Sequence, residues 1–142
     1  DIVISCDNAV PHLLGDADLE AAVTGMRARL KAGGLVAIGM RDYDQLRLQR
    51  PKATPVRVLD EGRRLVFQVW DWEADGERYR YQHFLLRQTE AGWTTDCLHG
   101  EYRALAVAEL RQALERAGFV DIRHSAPEES GHMEQLLTAR VA

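Results

Sequence analysis

An α/β fold carrying an antiparallel β region is predicted by three features of this chain. Two short apolar runs flank one helix-length segment, a central stretch folds about Asp75-Gly76, and helical spacing returns after Tyr102. The first pattern is that of a βαβ unit, which closes with right-handed sense in nearly all proteins.

Each element can be argued from its residues. Ile2 to Ser5 is a continuous apolar run, as expected of a strand buried on both faces of a parallel sheet. From Asp16, read as an N-cap, Leu19, Val23, Met26 and Leu30 recur at helical spacing, with Asp18 and Glu20 at the start, Arg27, Arg29 and Lys31 at the end, and Gly33 as the stop. Leu35 to Met40 is the second buried run. Residues from about 54 to 99 read as antiparallel hairpins. Folding about Asp75-Gly76 sets Trp72 against Tyr79 and Trp70 against Tyr81 on one face, with Glu73 against Arg78 and Asp71 against Arg80 on the other. Such pairs contribute roughly 0.2–1 kcal/mol each, and a one-residue slip loses both sets. Turns at Glu61-Gly62 and Ala91-Gly92 bring the strands to three or four. The aromatic face reads as packing. Val107, Leu110, Leu114 and Ala117 then form a helix stripe closed by Gly118. Phe119 to Arg123 and Leu136 to Val141 are strands, joined by a loop at Pro127-Glu128-Glu129-Ser130-Gly131. The organisation expected is 1-53 as the βαβ part, 54-101 as an antiparallel insertion, and 102-142 as a helix with the last two strands.

Composition narrows the function. A 142-residue chain that is 46% hydrophobic and 28% charged can form a packed core. Its net charge of -4 gives no basic footprint, so nucleic-acid binding is not expected and a small-molecule partner fits better. No apolar run approaches a membrane span and no signal-peptide pattern is present. Cys6 and Cys97 lie far apart without C-x-x-C spacing, pointing to free thiols in a reducing, cytoplasmic setting. The histidines are scattered, so no metal site is expected.

Ligands of open α/β sheets bind outside the carboxyl ends of the parallel strands. Here those ends are Ser5 to His12 and Arg41 to Asp44, both polar and adjacent to apolar strands. Several readings of them are open. Asn8 before a Pro-containing turn can be a cap, Arg41 can pair with Asp42 or Asp44, and Cys6 near His12 can suggest a thiol nucleophile, although no orienting third group is evident.

The run Ser5-Cys6-Asp7-Asn8 with His12, the Gly33-Gly34 turn, and Arg41-Asp42-Tyr43-Asp44 together resemble the C-terminal half of a class I S-adenosylmethionine-dependent methyltransferase. The likeness is to glycine and sarcosine N-methyltransferases and related uncharacterised bacterial methyltransferases. Asp42 stands where that pattern has Asn. The resemblance implies a Rossmann-like sheet of order 3-2-1-4-5-7-6, of which this chain would hold 4-5-7-6 with an inserted antiparallel hairpin region. It implies S-adenosylmethionine as cofactor, touched by Ser5, Cys6, Asp7 and His12. It also implies an amine or amino-acid acceptor, with Asn8 beside the reacting amine, Arg41 clamping a carboxylate, and Tyr43 in the substrate site. Catalysis would then rest on Asn8 and Arg41, since in-line methyl transfer needs alignment more than a strong base. The chain opens directly on a strand with no Gly-rich turn before it, so it reads as part of a larger enzyme, inactive when isolated. An unpaired first strand would favour self-association. A binding or dimerisation module that keeps the half-fold without catalysis is the alternative.

Overall fold

The computed structural model describes all of residues 1–142. The elements run β1 (Ile2–Ser5), α1 (Asp16–Ala28), β2 (Leu35–Met40), α2 (Tyr43–Gln49), β3 (Arg57–Leu59), β4 (Arg64–Trp72), β5 (Arg78–Thr89), β6 (Gly92–Arg103), α3 (Val107–Arg116), β7 (Phe119–Ser125), α4 (Pro127–Ser130) and β8 (Gln135–Val141). They build two four-stranded sheets, ordered β1-β2-β8-β7 and β3-β4-β5-β6.

In the first sheet β1 and β2 are parallel, as the βαβ reading requires, with Ile2 beside Leu35 and Ser5 beside Ile38. The sheet as a whole is mixed, because β8 returns antiparallel to β2 and β7 antiparallel to β8. α1 and α3 cover one face. Leu19 and Val23 of α1 and Leu110, Ala113 and Leu114 of α3 share one core with Val36, Ile38, Met40, Leu137, Ala139 and Phe119. Burying side chains of this size contributes about 1.5–3 kcal/mol each, which is what makes the stripes fold as helices.

Several sequence expectations are corrected here. β1 is not buried on both faces: Ile2 and Ile4 are 61% and 65% exposed, because β1 pairs only with β2 and nothing covers its outer side. The N-cap of α1 is Gly15, in extended conformation. Asp16 is the first helical residue, and its carboxylate accepts from Arg103 Nη1 at 2.6 Å. α1 ends at Ala28, so Leu30 and Gly33 lie in the turn that follows, where Gly33 (φ 74) donates its N–H to Val141 O. The stretch after Arg41 is helical: Asp42 caps α2 by accepting the Gln45 N–H at 3.0 Å. The 127–131 segment includes the single turn α4 rather than being wholly loop.

The second sheet carries the expected register. Trp72 faces Tyr79, Trp70 faces Tyr81, and Asp71 faces Arg80 with an exposed ion pair of 2.9 Å. Trp70, Tyr79 and Tyr102 are buried with Tyr43 and Ala104, and Trp72 and Tyr81 pack at the edge of this cluster. The aromatic face is therefore a second core, and it holds α2 and the end of β2 against the sheet.

Candidate functional site

Because β1 and β2 run parallel, their carboxyl ends open on the same edge of the first sheet. At the end of β1 the backbone turns through Asp7 (φ 58) and Asn8 (φ 57), two successive left-handed residues that are not glycine. Asn and Asp tolerate this region better than other side chains, so two in a row can hold a sharp turn here. The turn carries Asn8 inward, where it is 1% exposed. Its Oδ1 accepts the Arg41 backbone N–H at 3.0 Å and its Nδ2 donates to Tyr43 Oη at 2.7 Å.

Arg41, at the end of β2, is held on several sides. Nη1 donates to Tyr79 Oη at 2.9 Å and Nη2 donates to Gln68 Oε1 at 3.4 Å. The guanidinium carbon lies 5.1 Å from the Trp70 ring centre and 5.3 Å from that of Tyr102. The Tyr43 and Tyr79 hydroxyls are 3.2 Å apart, closing a ring of contacts from Asn8 through Tyr43 and Tyr79 to Arg41. No carboxylate pairs with Arg41. Asp42 is occupied by Gln45 and Gln135, and Asp44 accepts from the Val107 N–H, so the surface ion-pair reading of Arg41 does not hold.

Electrostatics follow from this enclosure. Burial holds the Tyr43, Tyr79 and Tyr102 phenols above their ordinary range, so all three remain neutral donors. Burial pulls Arg41 down, but Tyr79, Tyr43 and Tyr102 outweigh it and leave the guanidinium firmly charged. The result is a fixed cation among neutral hydroxyls and aromatic faces.

Arg41 lines a cavity of about 610 Å³ between the strand ends and the inner face of the second sheet. Asp7, Gln68, Tyr81, His83, Tyr102 and Arg57 share its wall with Thr54, Pro55, Val66, Phe67 and Leu98. This volume suits a small organic ligand, and the mix of aromatic surface with a few convergent polar groups is that of a binding site. His12 is exposed and packs on Tyr102, with ring centres 4.2 Å apart.

Of the residues singled out by sequence, Arg41 and Asp7 face this cavity and His12 borders it through Tyr102. Cys6 is exposed and Ser5 half-buried at the end of β1, and neither lines the cavity. Asn8 and Tyr43 lie behind Arg41, 1% and 0% exposed, with their polar atoms bonded to protein. Sequence reasoning missed Gln68, Tyr79 and His83 as neighbours of Arg41. The hairpin register already put Gln68 and Tyr79 on the same face as Trp70, which was the available signal.

Among solved structures, the chain is similar to an S-adenosylmethionine-dependent methyltransferase from Clostridium acetobutylicum ATCC 824, with a TM-score of 0.73 and 12% identity over 100% of this chain and 58% of that one. It is also similar to Streptomyces venezuelae DesVI, with a TM-score of 0.76 and 18% identity over 99% of this chain and 58% of the other. CalS10, an amino pentose methyltransferase from Micromonospora echinaspora, gives 0.71 and 21% over 99% and 58%. The fold is a methyltransferase fold. No known family profile matches the chain, and no curated protein does so. The chain spans about 58% of the length of these methyltransferase-fold neighbours. No helix is long and apolar enough to cross a membrane.

Proposed function

We propose that this chain forms the acceptor side of an S-adenosylmethionine-dependent methyltransferase that acts on a small amine bearing a carboxylate, an amino acid or a related compound. The observation that carries the reading is Arg41, a half-buried cation without a carboxylate partner, set at the carboxyl end of β2 on the wall of the cavity. A cation held in this way has unused N–H donors, and its planar fork fits the two oxygens of a carboxylate. Asn8 and Tyr43 act behind it as positioning residues, fixing the backbone and the Tyr79 hydroxyl that orient the guanidinium.

The residues present fit one side of the cofactor. Ser5, Cys6 and Asp7 leave polar groups at the turn after β1, and Asp7 is the only carboxylate on the cavity wall, opposite in charge to a sulfonium. The cofactor supplies an electrophilic methyl group. A neutral acceptor amine would offer its lone pair to that group and would afterwards give up a proton to solvent. The protein's part is alignment and exclusion of competing nucleophiles. Exposed Ile2 and Ile4 and the span of about 58% of the neighbours support a complete cofactor grip only when the rest of a methyltransferase sheet adjoins β1. Free, exposed Cys6 and Cys97 support a reducing, cytoplasmic setting.

Two measurements on the intact protein test this. Calorimetry with S-adenosylmethionine should show saturable binding, and a screen of glycine, sarcosine, dimethylglycine and amino sugars should show methyl transfer favouring carboxylate-bearing amines. Absence of cofactor binding sinks the reading. Equal turnover of acceptors with and without a carboxylate sinks its finer part.

A further inference from the structure

Gln68 stands between Arg41 and His83, and its amide can be oriented in only one way. Its Oε1 lies 2.9 Å from Trp70 Nε1 and 3.4 Å from Arg41 Nη2. An indole N–H and a guanidinium can only donate, so the atom facing them is the oxygen. The amide NH2 is thereby turned to His83, whose Nδ1 lies 3.0 Å from Gln68 Nε2. The Gln68 backbone N–H is separately fixed on Thr54 Oγ1 at 2.8 Å. An amide nitrogen has no lone pair to offer, so His83 Nδ1 must be the acceptor and carry no proton. In the neutral ring the proton then sits on Nε2.

We propose that Gln68 is a positioning residue that fixes His83 as its Nε2–H tautomer, and that His83 is the second donor, beside Arg41, for the carboxylate of the acceptor. His83 lines the same cavity as Arg41, and with Nδ1 taken by Gln68 its one remaining polar atom is a donor. Arg41, His83 and Arg57 thus bring three donor side chains to one cavity, whose single carboxylate is Asp7. A carboxylate, which only accepts hydrogen bonds, can satisfy several such donors at once, whereas an ammonium can accept from none of them. The donor role rests on the proposed function, but the tautomer does not.

Long-range nitrogen–proton correlation spectra of the intact, 15N-labelled protein test the tautomer at roughly pH 8.5, about two units above the ordinary imidazole range. The wild type is expected to show His83 with bare Nδ1 and protonated Nε2. Gln68→Glu offers only acceptor oxygens to both Trp70 and His83, so the proton is expected to move to Nδ1. Trp70→Phe keeps an aromatic ring but removes the nearer of the two donors that orient the amide, leaving Arg41 at 3.4 Å, and a mixture of tautomers is expected. A His83 spectrum unchanged in both variants overturns the proposal. His83→Phe tests the donor role: KM for a carboxylate-bearing acceptor should rise roughly tenfold with kcat altered about twofold or less. An unchanged KM contradicts that role. The spectra need no substrate, so a failed tautomer and a failed methyltransferase reading are separate outcomes.

Discussion

Asn8 Oδ1 accepts the backbone N–H of Arg41 at 3.0 Å, joining the turn after β1 to the end of β2 across 33 residues of sequence. Through this bond the conformation of one strand end sets the position of the only cation on the other. Asn8→Ala removes it and leaves the buried Arg41 N–H and Tyr43 hydroxyl short of a partner. The expected loss is about 1–3 kcal/mol in urea unfolding, with the slope unchanged. A midpoint equal to the wild type would show that the bond does not hold the strand ends together.

The three buried phenols set the alkaline limit of stability. Burial raises Tyr43, Tyr79 and Tyr102 above the ordinary value of 10.0, so the folded chain keeps protons that the unfolded chain gives up. Their contribution is complete below the unfolded value and is lost as pH rises from about 10 through the folded values. Unfolding free energy should therefore fall steeply in that window, and Tyr79→Phe should flatten the fall. Parallel curves for wild type and variant would contradict the assignment.

Tyr81 depends on a missing side chain opposite it. It pairs with Gly100 across β5 and β6, stacks on Tyr102 with ring centres 4.8 Å apart, and crosses directly over the place a Cβ at Gly100 would occupy. Gly100→Ala should displace the Tyr81 ring within the cavity, costing roughly 1–3 kcal/mol of stability and raising acceptor KM. Unaltered acceptor binding would mean that Tyr81 does not shape the site.

The outer edge of β1 is an open template for strand pairing. Ile2 and Ile4 are exposed beside backbone groups that no strand of this chain covers. Sedimentation equilibrium of the 142-residue chain should show self-association that Ile4→Lys reduces. A single monomer at every concentration would contradict this.

How much of this was legible in sequence divides along physical lines. The hairpin register could be read because aromatic pairs and opposite charges fall on alternate faces, and both would be lost on slipping by one residue. Arg41 could be placed because a polar residue directly after a buried parallel strand lies at the ligand edge of the sheet. The burial of Asn8 could not, since it follows from the left-handed turn at Asp7 and Asn8, which no periodicity encodes. Helix α2 was passed over because its seven residues show too little repeat, although the Asp42 cap was there to read. The exposure of β1 is likewise invisible locally, because an apolar run reads as buried whether or not a neighbour is present. Gln68 and His83 join Arg41 only when the second sheet docks on the strand ends.

The central claim is that Arg41 grips the carboxylate of a methyl acceptor. The most direct measurement is the steady-state kinetics of S-adenosylmethionine-dependent methyl transfer by the intact protein carrying Arg41→Lys, with cofactor affinity measured alongside. Lysine keeps the charge but loses the planar fork and its fixed geometry. Acceptor KM should rise roughly ten- to a hundredfold, with cofactor affinity unchanged. An acceptor KM equal to the wild type, or a loss confined to cofactor binding, would contradict the claim.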